Sequence, residues 1–240
     1  MVTKAFRRPP TAQEAVLTEL RRWIATGRLQ PGEQIVQDTL ALELGVSRVP
    51  LREALKILEG EGQVSYVAHR GYFVTELSLS DLLEVYRIRE LLETEAVRRA
   101  VPLMTTEDVD RFEEAAADVR RAAEAVDVPA MSTSNRRFHF ALIGACAMPR
   151  LIRVLHVLWD STEVYRSVYF TDDVNKDRVL EEHDELVAAV KAGDADAALD
   201  VLSRHRQNAI GALRPLLEQS GADWRSPGLP GDLDRIQALD

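Results

Sequence analysis

Apolar residues recur along this chain with two rhythms, and the change between them marks its organisation. From Thr11 or Ala12 to about Thr26 they return every three or four positions, at Ala15, Val16, Leu20, Trp23 and Ile24. That is the spacing of one buried helix face. Gly27 stops the helix, and Leu29-Gln30-Pro31-Gly32-Glu33 reads as a turn. A short extended piece at 34–36 and a helix over 38–44 follow, closed by Gly45, which leaves a helix through a left-handed residue without steric cost. A second helix over about 48–60 carries Leu51, Ala54, Leu55 and Leu58 on one stripe. Ser47 stands where its hydroxyl can cap that helix, and Pro50 falls in the first turn, where a missing N–H costs nothing. Then 63–67 and 71–75 read as two strands joined by Ala68-His69-Arg70, a hairpin wing with a basic tip.

From Ser78 the helical rhythm is continuous. Helices are predicted over about 79–101, 105–127, 149–169, 176–192 and 194–218. Pro129 and Ser132-Thr133-Ser134 either interrupt the chain or start a further helix reaching about Ala145. Leu82, Val85, Tyr86, Leu92 and Val97 supply the core face of the first of these helices, and the Ala-rich second reads as a cover on the surface. The fold class is therefore mainly α. Residues 12–76 form a winged helix-turn-helix of three helices plus a hairpin, and 78–218 form an all-α bundle of six to seven helices. Residues 1–11 read as a basic arm, and 219–240 as a Pro/Gly-rich tail with a short helix near 232–239.

Composition narrows the class. Hydrophobic content of 46% and charged content of 29% in 240 residues suit a globular protein. No apolar run spans a membrane, no export signal opens the chain, and Cys146 is the single cysteine, so a cytoplasmic location is expected. Net charge is −9, which argues against indiscriminate nucleic-acid binding. Yet the first 75 residues hold 10 Lys and Arg against 8 Asp and Glu, while the remainder carries a balance of −11. Arg48, Arg52 and Lys56 make a basic stripe beside the apolar one, suited to a DNA major groove. Arg70 and His69 can reach an adjacent minor groove or phosphate.

Residues 12–75 resemble the winged helix-turn-helix of the GntR family of bacterial transcription regulators. The resemblance rests on Leu29-Gln30-Pro31-Gly32-Glu33, on the run from Leu40 to Arg48, on Pro50-Leu51-Arg52-Glu53-Ala54-Leu55 and on Arg70-Gly71-Tyr72-Phe73-Val74. It implies that Arg48 and Arg52 contact bases or phosphates, with His69, Arg70 and Gly71 at the wing tip; Ser47, Val49 and Lys56 are expected on the same DNA-facing surface. Val49 stands where a Thr often supplies a phosphate contact, and Asp38 where relatives can carry a DNA-contacting Arg. Both departures bear on which operator is read.

Four histidines lie in the helical part: His139, His156, His183 and His205. Asn135 and His139 are four apart and share a helix face. Three imidazoles from three helices can converge on a metal in a bundle, or they can be unrelated surface and core residues. Residues 78–218 resemble the FCD ligand-binding domain of the FadR-like branch. Ile88-Arg89-Glu90-Leu91-Leu92-Glu93, Asn135-Arg136-Arg137-Phe138-His139, Glu182-His183-Asp184-Glu185-Leu186 and His205 carry that resemblance. It implies a divalent transition metal, zinc or nickel, on Asn135, His139, His183 and His205, with Asn135 at a position where metal-binding members have Asp. It also implies a small carboxylate effector near the metal. Arg89 can hold such a carboxylate, or pair with Glu93 four residues on; Asn208 can line the same pocket. Trp159 and Tyr165 can floor it or simply pack the core, and His156 matches no motif.

The expected activity is a ligand-responsive transcriptional regulator, a repressor, acting as a homodimer on an inverted repeat of double-stranded DNA. The alternatives are a metal-dependent hydrolase of a small organic acid and a DNA-binding dimer with a purely structural bundle. No enzymatic role is expected, because no motif positions a general base.

Overall fold

The computed structural model describes residues 9–76 and 78–219. Of the expected N-terminal arm only 9–11 fall within it, and the expected tail beyond Gln219 lies outside the described residues. The chain divides between Thr75 and Glu76 into two compact units.

The first unit contains α1 (Ala12–Ala25), β1 (Gln34–Ile35), α2 (Gln37–Leu44), α3 (Arg48–Gly60), β2 (Val64–Val67) and β3 (Gly71–Val74). Thr11 opens α1 with a reciprocal cap: its hydroxyl accepts from the Glu14 backbone and the Glu14 carboxylate accepts from its own. Gly45 closes α2 at φ 64°, the left-handed conformation expected of it. On α3 the residues Leu51, Ala54, Leu55 and Leu58 are all at 0% exposure. Each leucine buried this way contributes roughly 1.5–3 kcal/mol, which pins the helix and leaves its other side to solvent. The Ser47 hydroxyl sits at the start of α3 but makes no capping hydrogen bond.

The extended piece at 34–35 is not a separate segment, as its isolation in sequence suggested. It adds to the wing as a third strand in the order β1-β3-β2, with Ile35 opposite Tyr72 and Tyr66 opposite Tyr72 on the other side. Gly32 N–H donates to the Val74 carbonyl and Val74 N–H to the Glu33 carbonyl, at 3.0 and 2.9 Å. The Gln34 side chain donates to the Arg70 carbonyl at 2.6 Å.

The second unit is a bundle of seven α-helices: α4 (Leu79–Ala100), α5 (Thr106–Glu124), α6 (Val128–Ile143), α7 (Pro149–Ser161), α8 (Glu163–Tyr169), α9 (Asp173–Lys191) and α10 (Ala195–Gln219). The proline-serine stretch starts α6 instead of interrupting the chain, because Asp127 caps the Ala130 N–H and Pro129 falls in the first turn. The single helix expected over 149–169 is two. At Thr162 the hydroxyl donates back to the carbonyls of Leu158 and Trp159, at 3.2 and 3.1 Å, and Ser161 also turns back to Leu158. Such back-bonding competes with the helical ladder and ends α7 there. The core gathers Phe112, Phe138, Leu142, Trp159, Tyr165 and Leu186. α5 covers one side, as its composition suggested, but still buries Phe112, Val119 and Ala122.

Candidate functional site

In the first unit, Ser47, Arg48, Val49, Arg52 and Lys56 are all exposed on one side of α3, opposite its buried stripe. His69 and Arg70 are exposed at the wing tip, where His69 adopts φ 63° and Arg70 N–H closes the turn onto Val67 at 3.0 Å. Gly71, at φ 91°, begins the return strand. Arg48 ion-pairs with Asp38 of α2, both side chains remaining well exposed. So the departure at Asp38 has a local consequence: it engages an arginine of the basic stripe through Nε.

In the second unit, α6, α9 and α10 bring His139, His183 and His205 together. Each offers a ligand atom within 4.8 Å of the others. Asn135 lies one turn before His139, and both are almost fully buried. Four buried atoms here have no hydrogen-bond partner among the described residues: Asn135 Oδ1, His139 Nε2, and both nitrogens of His183. Unpartnered buried polar atoms are costly, so a cluster of them in one place calls for a partner. Burial first, and then the neighbouring imidazole charges, hold His139 and His183 well below the ordinary histidine range. Both are therefore neutral at neutral pH, the form that ligates a metal. His205 is oriented by Glu182, which is itself held by Asn208. Its Nδ1 meets Glu182 Oε2 at 2.6 Å, and Asn208 donates to Glu182 Oε1 at 2.6 Å. A carboxylate behind a ligating imidazole fixes which nitrogen faces the ion. The residues present thus fit a transition metal, with three imidazoles and an amide oxygen as donors.

Beside the cluster lies a cavity of about 20 Å³ whose lining includes Asn135 and His205 together with Arg89, Arg166 and Arg206. Arg89 resolves the choice left by sequence. Its Nε donates to Glu93 at 3.0 Å in a pair with 5% and 3% side-chain exposure, so it both lines the cavity and holds its helical neighbour. Glu93 also accepts from Trp159 Nε1 at 2.8 Å and from Arg206 Nη1 at 2.9 Å. Burial alone would raise Glu93; the charges of Arg89 and Arg206 outweigh it and hold it below the ordinary range. Arg166 pairs with Glu163, which also accepts from Ser132 at 2.7 Å. Trp159 lies under the guanidinium of Arg89, 3.9 Å from its centre, and so floors the cavity. Tyr165 does not border it; its hydroxyl is bonded to Ser78 at the start of α4. Asn208, expected to line the pocket, is not among its bordering residues and serves Glu182 instead. His156 stands apart, stacked on Phe140 at 4.0 Å.

Sequence reasoning did not single out Arg166, Arg206, Glu93 or Glu182 as site residues. Arg206 reaches Glu93 across helices and Glu182 reaches His205 on another helix, so no local spacing announces them; Arg166 and Glu93 do have partners three and four residues away, but that spacing alone does not mark them as buried. The one available signal was adjacency: Arg206 follows His205 and Glu182 precedes His183.

Comparison with known proteins agrees with this architecture. Residues 12–74 match the bacterial regulatory proteins of the gntR family, and residues 84–208 match the FCD domain. The chain is 30% identical to the HTH-type transcriptional regulator McbR of Escherichia coli K12, over 82% of this chain and 90% of that protein. It is 28% identical to the HTH-type transcriptional repressor GlaR of the same organism, over 85% and 94%. The solved structure of E. coli McbR/YncC superposes with a TM-score of 0.74 and 27% identity, covering 88% of this chain and 99% of that one. Among the described residues no helix is long and apolar enough to cross a membrane. The chain belongs to the GntR family of bacterial transcription regulators, with a winged helix-turn-helix followed by an FCD domain.

Proposed function

We propose that this protein is a repressor whose hold on its operator is set by a small carboxylate bound beside a divalent transition metal. The observation that carries the reading is the convergence of His139, His183 and His205 with Asn135: buried atoms of His139, His183 and Asn135 lack partners among the described residues, and Asn135 and His205 line a cavity that three guanidinium groups also line. Zinc or nickel suits imidazole donors. The arginines supply the positive wall that an organic acid needs, and a bound metal would polarise its carboxylate. The 78–218 segment is the effector and dimerisation domain of this reading, and 12–76 its DNA reader.

Arg48, Arg52 and Lys56 would meet base edges and phosphates in the major groove, Ser47 and Val49 would approach the backbone, and His69, Arg70 and Gly71 would reach the adjacent groove. Two copies would read an inverted repeat, since a two-fold dimer matches a two-fold site. Exposed Ile88 and Leu91 on α4 and Val154 and Val157 on α7 offer apolar surface for a second copy. The effector must bind the DNA-competent and incompetent states unequally for any response to follow.

The test is operator affinity at fixed salt, with DNA from upstream of the protein's own gene, before and after chelation. Affinity is expected to shift by about tenfold or more, the lower end of ordinary coupling, and to return with zinc or nickel. Unchanged affinity in a protein shown by elemental analysis to lose its metal would refute the coupling. Arg48→Ala with Arg52→Ala should remove sequence preference; retained preference would overturn the assignment of α3.

A further inference from the structure

The cavity beside the histidines is too small for an organic acid as it stands. At about 20 Å³ it holds roughly one water molecule. A carboxylate head fits there only if the rest of the ligand lies elsewhere. Across one wall lies a second, larger space: a groove of about 220 Å³ between α4 and α10. It is lined by the apolar Leu83 and Ile210, by Ser203 and Gln207, and by Arg87 and Glu90, which pair with each other. Tyr86 and Arg206 border both spaces. The wall between chamber and groove is therefore a phenol ring and one guanidinium.

Arg206 is held in that wall by Glu93 Oε2. Glu93 does not depend on it alone. Its other oxygen accepts from Arg89 and from Trp159, so it remains bonded if Arg206 turns away. The charges of the wall also leave room for an anion. Arg89, Arg166 and Arg206 face two carboxylates, Glu93 and Glu163, while Glu182 is directed at His205 and Asn208. Among these wall groups the guanidinium groups outnumber the carboxylates by one, before any charge of a bound metal is added.

We infer that the α4–α10 groove is the outer half of the effector site, and that Arg206 exchanges Glu93 for the ligand's carboxylate as the two spaces join. The inference rests on the carboxylate-effector reading above and specifies its ligand: a monoanion with an uncharged chain long enough to leave the chamber and lie along Leu83 and Ile210. Arg206 is the group that recognises the head; the groove selects the body.

Straight-chain monocarboxylates from acetate upward provide the probe, titrated into the full-length protein and followed by the fluorescence of Trp159 in the chamber floor, with Trp159→Phe as blank. Each added methylene that enters the groove should tighten binding roughly fourfold until the groove is filled. Gln207→Trp places an indole in the groove from an exposed position on α10, where the fold tolerates it, as circular dichroism will check. In that variant acetate should bind as before and the gain with chain length should vanish. Arg206→Gln should weaken every member of the series about tenfold or more. If acetate binds but affinity is independent of length, or if Gln207→Trp keeps the same gain per methylene, the groove plays no part and the inference fails. If no acid binds at all and operator affinity does not respond to any, the effector reading itself falls and takes this one with it.

Discussion

Glu93 is the point at which the bundle is most exposed to a single change. Its carboxylate is 3% exposed and sits between two guanidinium groups, with Arg89 at 3.0 Å and Arg206 at 2.9 Å. Glu93→Gln keeps the shape and an acceptor for Trp159 but removes the charge that both arginines share. Two buried cations would then stand without their common anion, and breaking a buried pair from one side costs about 3–5 kcal/mol. An exposed pair such as Arg111 with Glu107, at 62% and 81% exposure, contributes far less because water screens it. For a unit of this size the cost corresponds to a fall in Tm of roughly 10 °C. Urea unfolding followed by circular dichroism, with the m value held as a check on the unfolded state, measures it. Replacing Arg89, Glu93 and Arg206 together by Met, Leu and Met removes all three charges and should recover most of the loss, because apolar groups of similar volume need no counter-ion. If Glu93→Gln stays within about 1 kcal/mol of the parent, the network is water-penetrated and the charge count around the cavity is wrong.

Three further outcomes follow from the same geometry. His139 and His183 are held neutral in the fold, below their ordinary value, but titrate near about 6.5 when unfolded. The unfolded chain therefore binds more protons below that pH, and metal-free protein should lose stability as pH falls from about 7 toward 5, by up to about 2.7 kcal/mol per pH unit for two protons; urea midpoints that do not move across this window would contradict it. Glu182→Gln removes the carboxylate behind His205 and should weaken zinc about 10–100-fold in a competitive-chelator titration without changing helicity, whereas equal affinity would assign Glu182 to packing alone. Ser47→Ala should cost well under the roughly 1 kcal/mol of an ordinary cap, since the hydroxyl makes no capping bond; a full loss by urea unfolding would show that the bond forms in solution.

The helices were legible where apolar spacing and a cap coincide. Thr11 and Thr105 each open a helix with a side-chain bond, and sequence placed those starts to within a residue or two; the start capped by Asp127 was left open, because Pro129 and the serine-threonine cluster read equally as a break. Thr162 was not legible, because a threonine is tolerated in a helix and its back-bonding to Leu158 and Trp159 shows only in three dimensions. Nor was the pairing of β1 with β3, since two residues at 34–35 carry too little pattern to name a partner. At the site, the histidines and Asn135 were within reach because they sit in short motifs. Arg166, Arg206 and Glu182 were not, because a charged residue on a helix is by default a surface residue. Burying one requires an ion partner, from another helix for Arg206 and Glu182 and from its own helix for Arg166, and which charged face turns inward is decided by the packing of the bundle as a whole.

The third strand of the wing has a consequence for how this reader of DNA could change over time. The hairpin's base is fastened to the residues before α2 by backbone bonds, and the Gln34 amide reaches the Arg70 carbonyl rather than its side chain. The side chains at 69 and 70 therefore stand on a scaffold to which they contribute little. The same holds on α3, where Arg52 and Lys56 are exposed opposite a fully buried stripe. On the DNA reading proposed above, the letters at 52 and 56 can drift with little toll on folding, whereas position 69, at φ 63°, is held to residues that tolerate the left-handed conformation, so what is read and how the module stands are largely separately heritable. Gene duplicates of such a protein would diverge first in what they read and last in how they stand.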